Sequence, residues 1–214
     1  MKVIAINGSL RKNWNTAQLL ENAIEGAKSA GAEIEFIHLY DLDYKGCRSC
    51  LSCKRENTKN YGRCSINDDL KPLFDKIEKA DVLILGSPIY FGSLSAEMRA
   101  FLERFLFQYM IYSNPPRSIF NGQLKVAFIY TMNISEDTFN QSPLKLHLEV
   151  TNSTVKRMLG NVEPLYSFFT YQTDHYNNME YSYFDVTEKR EHHEQIFPQD
   201  CKRAYELGTK LVKN

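Results

Sequence analysis

Five short apolar runs, separated by stretches with helical spacing, limit what this chain can fold into. The runs are Lys2 to Ile6, Glu33 to Leu39, Asp81 to Leu85, Lys125 to Thr131 and Leu165 to Thr170. Val82-Leu83-Ile84-Leu85 is the kind of run that is buried on both faces of a parallel sheet. Between the runs, Leu20, Ala23, Ile24 and Ala27 repeat at helical spacing until Gly31 ends the pattern. Leu70, Leu73, Phe74 and Ile77 form a second stripe behind Asn67-Asp68-Asp69, whose carboxylates suit the positive end of a helix. Pro72 falls in or near that first turn, where it is tolerated. Leu94, Met98, Phe101, Leu102 and Phe105 mark a third helix. Leu144, Leu148, Thr151, Val155 and Leu159 mark a fourth, opened by Ser142-Pro143 and closed by Gly160. Cys201, Ala204, Leu207 and Leu211 share a face of the last helix, which begins near Pro198.

This alternation predicts an α/β protein with a doubly wound, five-stranded parallel sheet and helices on both faces. The expected strand order is 2-1-3-4-5, flavodoxin-like, which gathers the loops after strands 1, 3 and 4 at one switch point. No repeat, linker or low-complexity tract divides the 214 residues, so one domain over 1–214 is expected. Two segments depart from the alternation: an insertion at about 43–66 with four cysteines, and an aromatic-rich loop at about 171–197. The 26 basic residues equal the 26 acidic ones, which speaks against bulk electrostatic binding of nucleic acid or anionic membrane. No apolar run has membrane-spanning length, and the N-terminus enters a strand without a signal-like leader, so a soluble, cytoplasmic protein is expected. Five cysteines in that compartment point to metal or redox chemistry before structural disulfides.

Chemistry concentrates in two loops. Asn7 to Thr16 joins the first strand to the first helix. The first N–H groups of a helix lack internal partners and attract anions. Gly8 permits close backbone approach. Ser9, Asn15 and Thr16 add neutral donors, and Arg11 or Lys12 a charge. The loop has neither G-x-G-x-x-G nor a P-loop ending, which leaves a monophosphate held without metal. The second loop, Gly86-Ser87-Pro88-Ile89-Tyr90-Phe91-Gly92-Ser93, sets aromatic residues between two glycines. Main-chain donors beside apolar faces suit a flat ring with polar edges, such as an isoalloxazine.

These stretches, Gly8 to Arg11 through Asn15-Thr16 and Gly86 to Arg99, together with the cysteine insertion, resemble the NAD(P)H-dependent FMN reductases of flavodoxin-like fold, and among them the iron–sulfur flavoproteins. The resemblance implies that Ser9, Arg11, Asn15, Thr16 and Ala17 hold the FMN phosphate, and that Pro88, Ile89, Tyr90, Phe91, Gly92 and Ser93 line the ring, with Thr131 in the third loop. Thr131-Met132-Asn133 lacks the glycine expected there, a departure from the family pattern. The resemblance also implies an enzyme whose FMN takes hydride from NAD(P)H, with no catalytic side chain, and a homodimer or homotetramer. Its electrons would pass to a flavin, a quinone, another small molecule or a protein acceptor. Two other readings stand beside it: an electron carrier between ferredoxin-like partners and an acceptor, and a non-enzymatic flavodoxin-type carrier. A flavin-binding redox sensor is a further reading. The neutral charge favours the enzyme over the usually acidic flavodoxins.

Cys47, Cys50 and Cys53 form C-x2-C-x2-C, and Cys64 follows after ten residues. Three thiolates at this spacing can wrap one face of a 4Fe–4S cubane, with Cys64 as the fourth ligand. Arg48, Lys54, Arg55 and Arg63 would stabilise the negative charge. A cluster-free loop of thiols and a structural zinc are the competing readings. Cys201 reads as core. Tyr166, Tyr171, Tyr176, Tyr181 and Tyr183, with Phe168, Phe169 and Phe184, are interleaved with Gln172, Asp174, His175, Asn177 and Asn178. After the strand this is expected to be a loop that covers the flavin, meets a second subunit, or packs on itself. His192-His193 reads as part of a solvated charged segment, and His38 and His147 as structural.

Overall fold

The computed structural model describes residues 1–176, 179, 180 and 182–213. Its centre is a sheet of five parallel strands: β1 (Lys2–Asn7), β2 (Glu33–His38), β3 (Val82–Tyr90), β4 (Lys125–Thr131) and β5 (Val162–Ser167). The order across the sheet is 2-1-3-4-5, as the alternation of elements requires. Beyond Gly86, β1 has ended: Ser87 and Pro88 pair with β4, Pro88 lying opposite Thr131, and Ile89 and Tyr90 pair antiparallel with Leu94 and Ser93. β3 is therefore longer than its apolar run. β5 begins and ends three residues earlier than its aromatic pattern suggests. It carries Pro164, which an edge strand accepts because it has one fewer ladder to complete.

Two apolar layers cover the sheet. On one face lie α1 (Asn15–Ser29) and, at the C-terminal end of the chain, a helix over Phe197–Lys213. Leu19, Leu20, Ala23 and Ala27 from α1 meet Val3, Ala5, Val82 and Ile84 of the strands. On the other face lie α2 (Leu70–Ile77), α3 (Ala96–Tyr109), α4 (Glu136–Gln141) and α5 (Pro143–Leu159). Phe74, Phe101, Phe105 and Tyr109 build its aromatic centre, with Phe101 and Phe105 stacked at 5.4 Å. The two remaining helices are α6 (Val186–Gln195) and α7 (the Phe197–Lys213 helix). Ser142 and Pro143 open α5 as expected, at its N-cap and first helical position, but the Ser142 side chain makes no capping bond. Its hydroxyl donates back to the Phe139 carbonyl, closing α4, a helix the apolar pattern does not announce. Among the described residues, no helix is long and apolar enough to cross a membrane.

Candidate functional site

The loops after β1, β3 and β4 meet at the carboxyl edge of the sheet. Gly8 N–H donates to the Gly86 carbonyl at 2.8 Å, and the Ser95 hydroxyl donates to the Gly8 carbonyl at 2.6 Å. Ser95 also caps α3 by accepting from Met98 N–H. A Cβ at Gly8 would stand 2.9 Å from that of Met98, so this glycine serves close packing on α3. The Thr16 and Thr131 hydroxyls are 2.7 Å apart, and both residues are buried. Ala17, in the first turn of α1, is wholly buried and presents no polar side chain. Thr131 is thus tied to the first loop although the glycine is missing, while Met132 turns into the core.

In the first loop, Ser9 N–H donates to Asn7 Oδ1 and the Ser9 hydroxyl accepts from Arg11 N–H. Three of the loop's donors reach across to the segment after β5. Arg11 donates to the Gln172 carbonyl at 2.7 Å, and Trp14 Nε1 and Asn15 Nδ2 both donate to the Tyr171 carbonyl, at 2.9 and 2.6 Å. The Arg11 guanidinium also lies 3.7 Å over the Trp14 ring. The second loop is a tight hairpin. Ile89 and Tyr90 pair antiparallel with Leu94 and Ser93, and Phe91 and Gly92 turn with φ of 49° and 75°. Positive φ at both positions matches the twist of a two-residue hairpin. It leaves Phe91 strained and fully exposed at the tip, with Tyr90 half exposed beside it.

The aromatic-rich stretch packs on itself and on the first loop. Tyr176 is fully buried, its hydroxyl accepts from Gln172 N–H at 2.9 Å, and its ring meets those of Tyr171 and Phe184. Asn177, Asn178 and Tyr181 lie outside the described residues. The stretch contains α6, which its apolar pattern does not show. Its histidines are not simply solvated: His192 meets Phe169 edge-on, and His193 stacks between Tyr171 and Phe197. Lys189 of α6 is 0% exposed. It donates to Asn133 Oδ1 and lies over the Phe169 and Phe184 rings, which ties the segments after β4 and β5 together. Burial pushes its pKa down to about 8. His38 accepts from Asn7 at 3.1 Å and is structural, whereas His147 is exposed on α5.

The cysteine insertion is folded against α3. Cys47, Cys50, Cys53 and Cys64 line one cavity with Arg48, Arg104, Phe107 and Gln108. Lys54 bonds the terminal carbonyls of α3, including Met110 at 2.6 Å, which holds Cys53 against that helix end. The ten residues before Cys64 fold back, Gly62 N–H donating to the Cys53 carbonyl at 3.0 Å. Cys64 N–H donates to Gln108 Oε1 at 2.9 Å, and Arg104 Nη2 approaches Cys64 Sγ at 3.4 Å. Of the expected charges, Arg48 lines the cavity and Lys54 stands beside Cys53, whereas Arg63 is taken by Asp75 and Glu78; Arg104, paired with Asp68, is an additional cation at the cavity wall. The Cys50 thiol is held below its usual range, first by the Ser52 N–H and then by Ser65 and Arg48. Burial raises the Cys53 thiol. Cys201, half-buried against the α1 layer as expected, is pushed up to about 11 by burial. All five cysteines are free thiols. Among the described residues, no three His, Cys, Asp or Glu side chains are grouped closely enough to hold a single metal ion.

The sequence reading missed Arg104 and Gln108. The signal was present: with Phe101, they fall at helical spacing on the buried face of α3, where a polar residue needs a partner.

The sheet order and the three converging loops define a flavodoxin-like protein with a ligand edge at its switch point. Residues 1–148 match the family described as NADPH-dependent FMN reductase, and the chain belongs to that family. Within it the chain is similar to several iron–sulfur flavoproteins. One from Methanocaldococcus jannaschii is 41% identical over 104 residues, covering 49% of this chain and 51% of the relative. Another from Clostridioides difficile is 26% identical over 170 residues, covering 70% and 73%. The chain spans about half the length of the curated archaeal relatives it matches. Among solved structures, an NAD(P)H:quinone oxidoreductase from Methanothermobacter marburgensis superposes with a TM-score of 0.75 at 16% identity, covering 99% of this chain and 98% of its own.

Proposed function

We propose that the chain is an FMN-dependent oxidoreductase that takes hydride from NAD(P)H and passes electrons to a flavin, quinone or protein acceptor. The observation that carries this reading is the meeting of the three loops at one edge, sealed by the Thr16–Thr131 contact. The first-turn N–H groups of α1 have no intrahelical partners and suit an anion. The side chains of Arg11, Asn15 and Thr16 are engaged by the Gln172 and Tyr171 carbonyls and the Thr131 hydroxyl and would exchange these partners for the phosphate. Ser9, Arg11, Asn15 and Thr16 would hold the phosphate, with Tyr171 and Gln172 closing the loop from outside. Pro88 to Ser93 would border the ring, where main-chain donors at the Tyr90–Ser93 turn face polar edges and Tyr90 and Phe91 shield it from water. When bound, FMN supplies the hydride-accepting and electron-passing chemistry. The protein's part is to bind, orient and limit access. A second copy of the chain against the exposed Tyr90–Phe91 tip would complete that shielding in a homo-oligomer.

A specific observation favours a second cofactor. Four thiols line one cavity beside buried N–H groups that lack partners, which fits a 4Fe–4S cluster better than idle thiols. The cavity measures about 20 Å3, room for about one water, so a cluster would require the Cys47–Leu51 rim to sit further out. Cys50 on that rim is exposed, and Ser49 and Leu51 are left-handed at φ of 54° and 56°. A cluster would pass single electrons toward a protein partner. Thiols kept free in this way suit a reducing, cytoplasmic setting.

Anaerobic rapid mixing of FMN-loaded protein with NADH or NADPH tests the enzyme reading. It predicts loss of the flavin's visible absorption with at least one nucleotide, and restoration by quinone or free flavin. No bleaching with either would favour a non-enzymatic carrier.

A further inference from the structure

We infer that Arg104 and Gln108 donate hydrogen bonds, through Arg104 Nε–H and Gln108 Nε2–H, to the sulfur shell of the group held by Cys47, Cys50, Cys53 and Cys64, and thereby raise its reduction potential. This rests on the cluster reading above. Both side chains line the cysteine cavity, at 2% and 3% exposure. In each, one buried N–H group has no hydrogen-bond partner, while the rest of the side chain is fully engaged. Arg104 spends its two terminal nitrogens on Asp68, the Lys45 carbonyl and Cys64 Sγ, which leaves Nε. Gln108 spends Oε1 on Cys64 N–H. That bond fixes the orientation of the amide, because a main-chain N–H needs an acceptor, and Nε2 is what remains.

A buried donor left unpaired carries its full desolvation cost, so two in one wall make a poor structural design. Apolar residues would fill the same space on this helix face without that cost. The donors fit an acceptor that comes with the ligand. Thiolate and inorganic sulfide are such acceptors, and hydrogen bonds to cluster sulfurs are among the factors that set its potential. Each N–H favours the more negative, reduced state. The charge of Arg104 is largely balanced by Asp68, so its contribution is a directed hydrogen bond. Lys54 and Gly62 fix the chain around Cys53, so the donors and Cys53 are held on the same end of α3.

The full chain is reconstituted anaerobically with iron, sulfide and FMN, iron and sulfide are counted, and the cluster potential is followed by EPR during a redox titration. Gln108→Leu and Gln108→Glu are compared with the unaltered chain. The expected result is a cluster potential shifted downward in Gln108→Leu and further downward in Gln108→Glu, with the flavin potential unmoved. Full clusters with an unmoved potential in Gln108→Leu overturn the inference. Pulsed EPR of the reduced, unaltered chain with 15N in its glutamine amides needs no variant. A 15N coupling at the cluster is expected, and its absence overturns the inference. Failure of the unaltered chain to take up iron and sulfide overturns the cluster reading itself and the inference with it, while the flavin reading stands.

Discussion

Cys50 is exposed, and its thiol is stabilised as thiolate by the Ser52 N–H, Ser65 and Arg48, whereas Cys201 is pushed up to about 11 by burial. The thiolate is the reactive form, so two units above the ordinary value mean roughly a hundredfold less of it at Cys201. In metal-free protein at neutral pH, iodoacetamide is expected to label Cys50 first and Cys201 slowest, read by peptide mass mapping. Equal rates at the two sites would contradict the assignment of their surroundings. At this scale the sequence was legible where a residue's role is local. Ser9 falls in the first loop, and Asn15 and Thr16 in the first turn of α1. It was not legible where a partner comes from far along the chain. Nothing near Asn15 announces the Tyr171 carbonyl, 156 residues away.

α3 and α6 are the elements that organise both ends of the ligand edge. α3 is capped by Ser95 at the first two loops and ends at Lys54 and the cysteines, so one rigid rod spans both candidate sites. α6 ties the segments after β4 and β5 through Lys189, whose pKa is about 8 in the fold against 10.5 ordinarily. Between those values the unfolded chain binds more protons, so stability rises with pH. The full rise amounts to roughly 3 kcal/mol. Half-buried Tyr44 and buried Tyr109 and Tyr130, whose phenols are pushed up, act in the opposite sense above pH 10, and Cys201 does so more weakly from about pH 9. Urea midpoints are therefore expected to rise from pH 8 to about 9.5, and Lys189→Met should remove the rise. A flat or falling midpoint in the unaltered chain would contradict the burial of this lysine as a cation. α6 escaped the sequence reading because its residues are polar all round, and its stability comes from the Asp185 cap and from Lys189 and the histidines packing on aromatic rings. β5 was misplaced because its aromatic residues continue past the last ladder bond, where Phe169 turns left-handed.

As a whole molecule, the chain sets a phosphate-type loop and an aromatic hairpin at the carboxyl edge of a parallel sheet, and a four-cysteine cavity at the other end of α3. The alternation of runs was enough to specify the sheet order, because parallel strands need crossovers and few orders satisfy them. The motif spacing placed the four cysteines together. It did not reveal the wall that receives them, since Arg104 and Gln108 are 40 and 44 residues from Cys64 in sequence. The proposed function requires that one chain carry FMN, with a cluster in the cysteine cavity. Its most direct test is the visible spectrum of protein purified without oxygen and supplied with FMN. The account predicts resolved flavin bands on a broad brown absorbance, both bleached by reductant. Flavin bands alone would remove the cluster, and no bound flavin at all would contradict the account at its foundation.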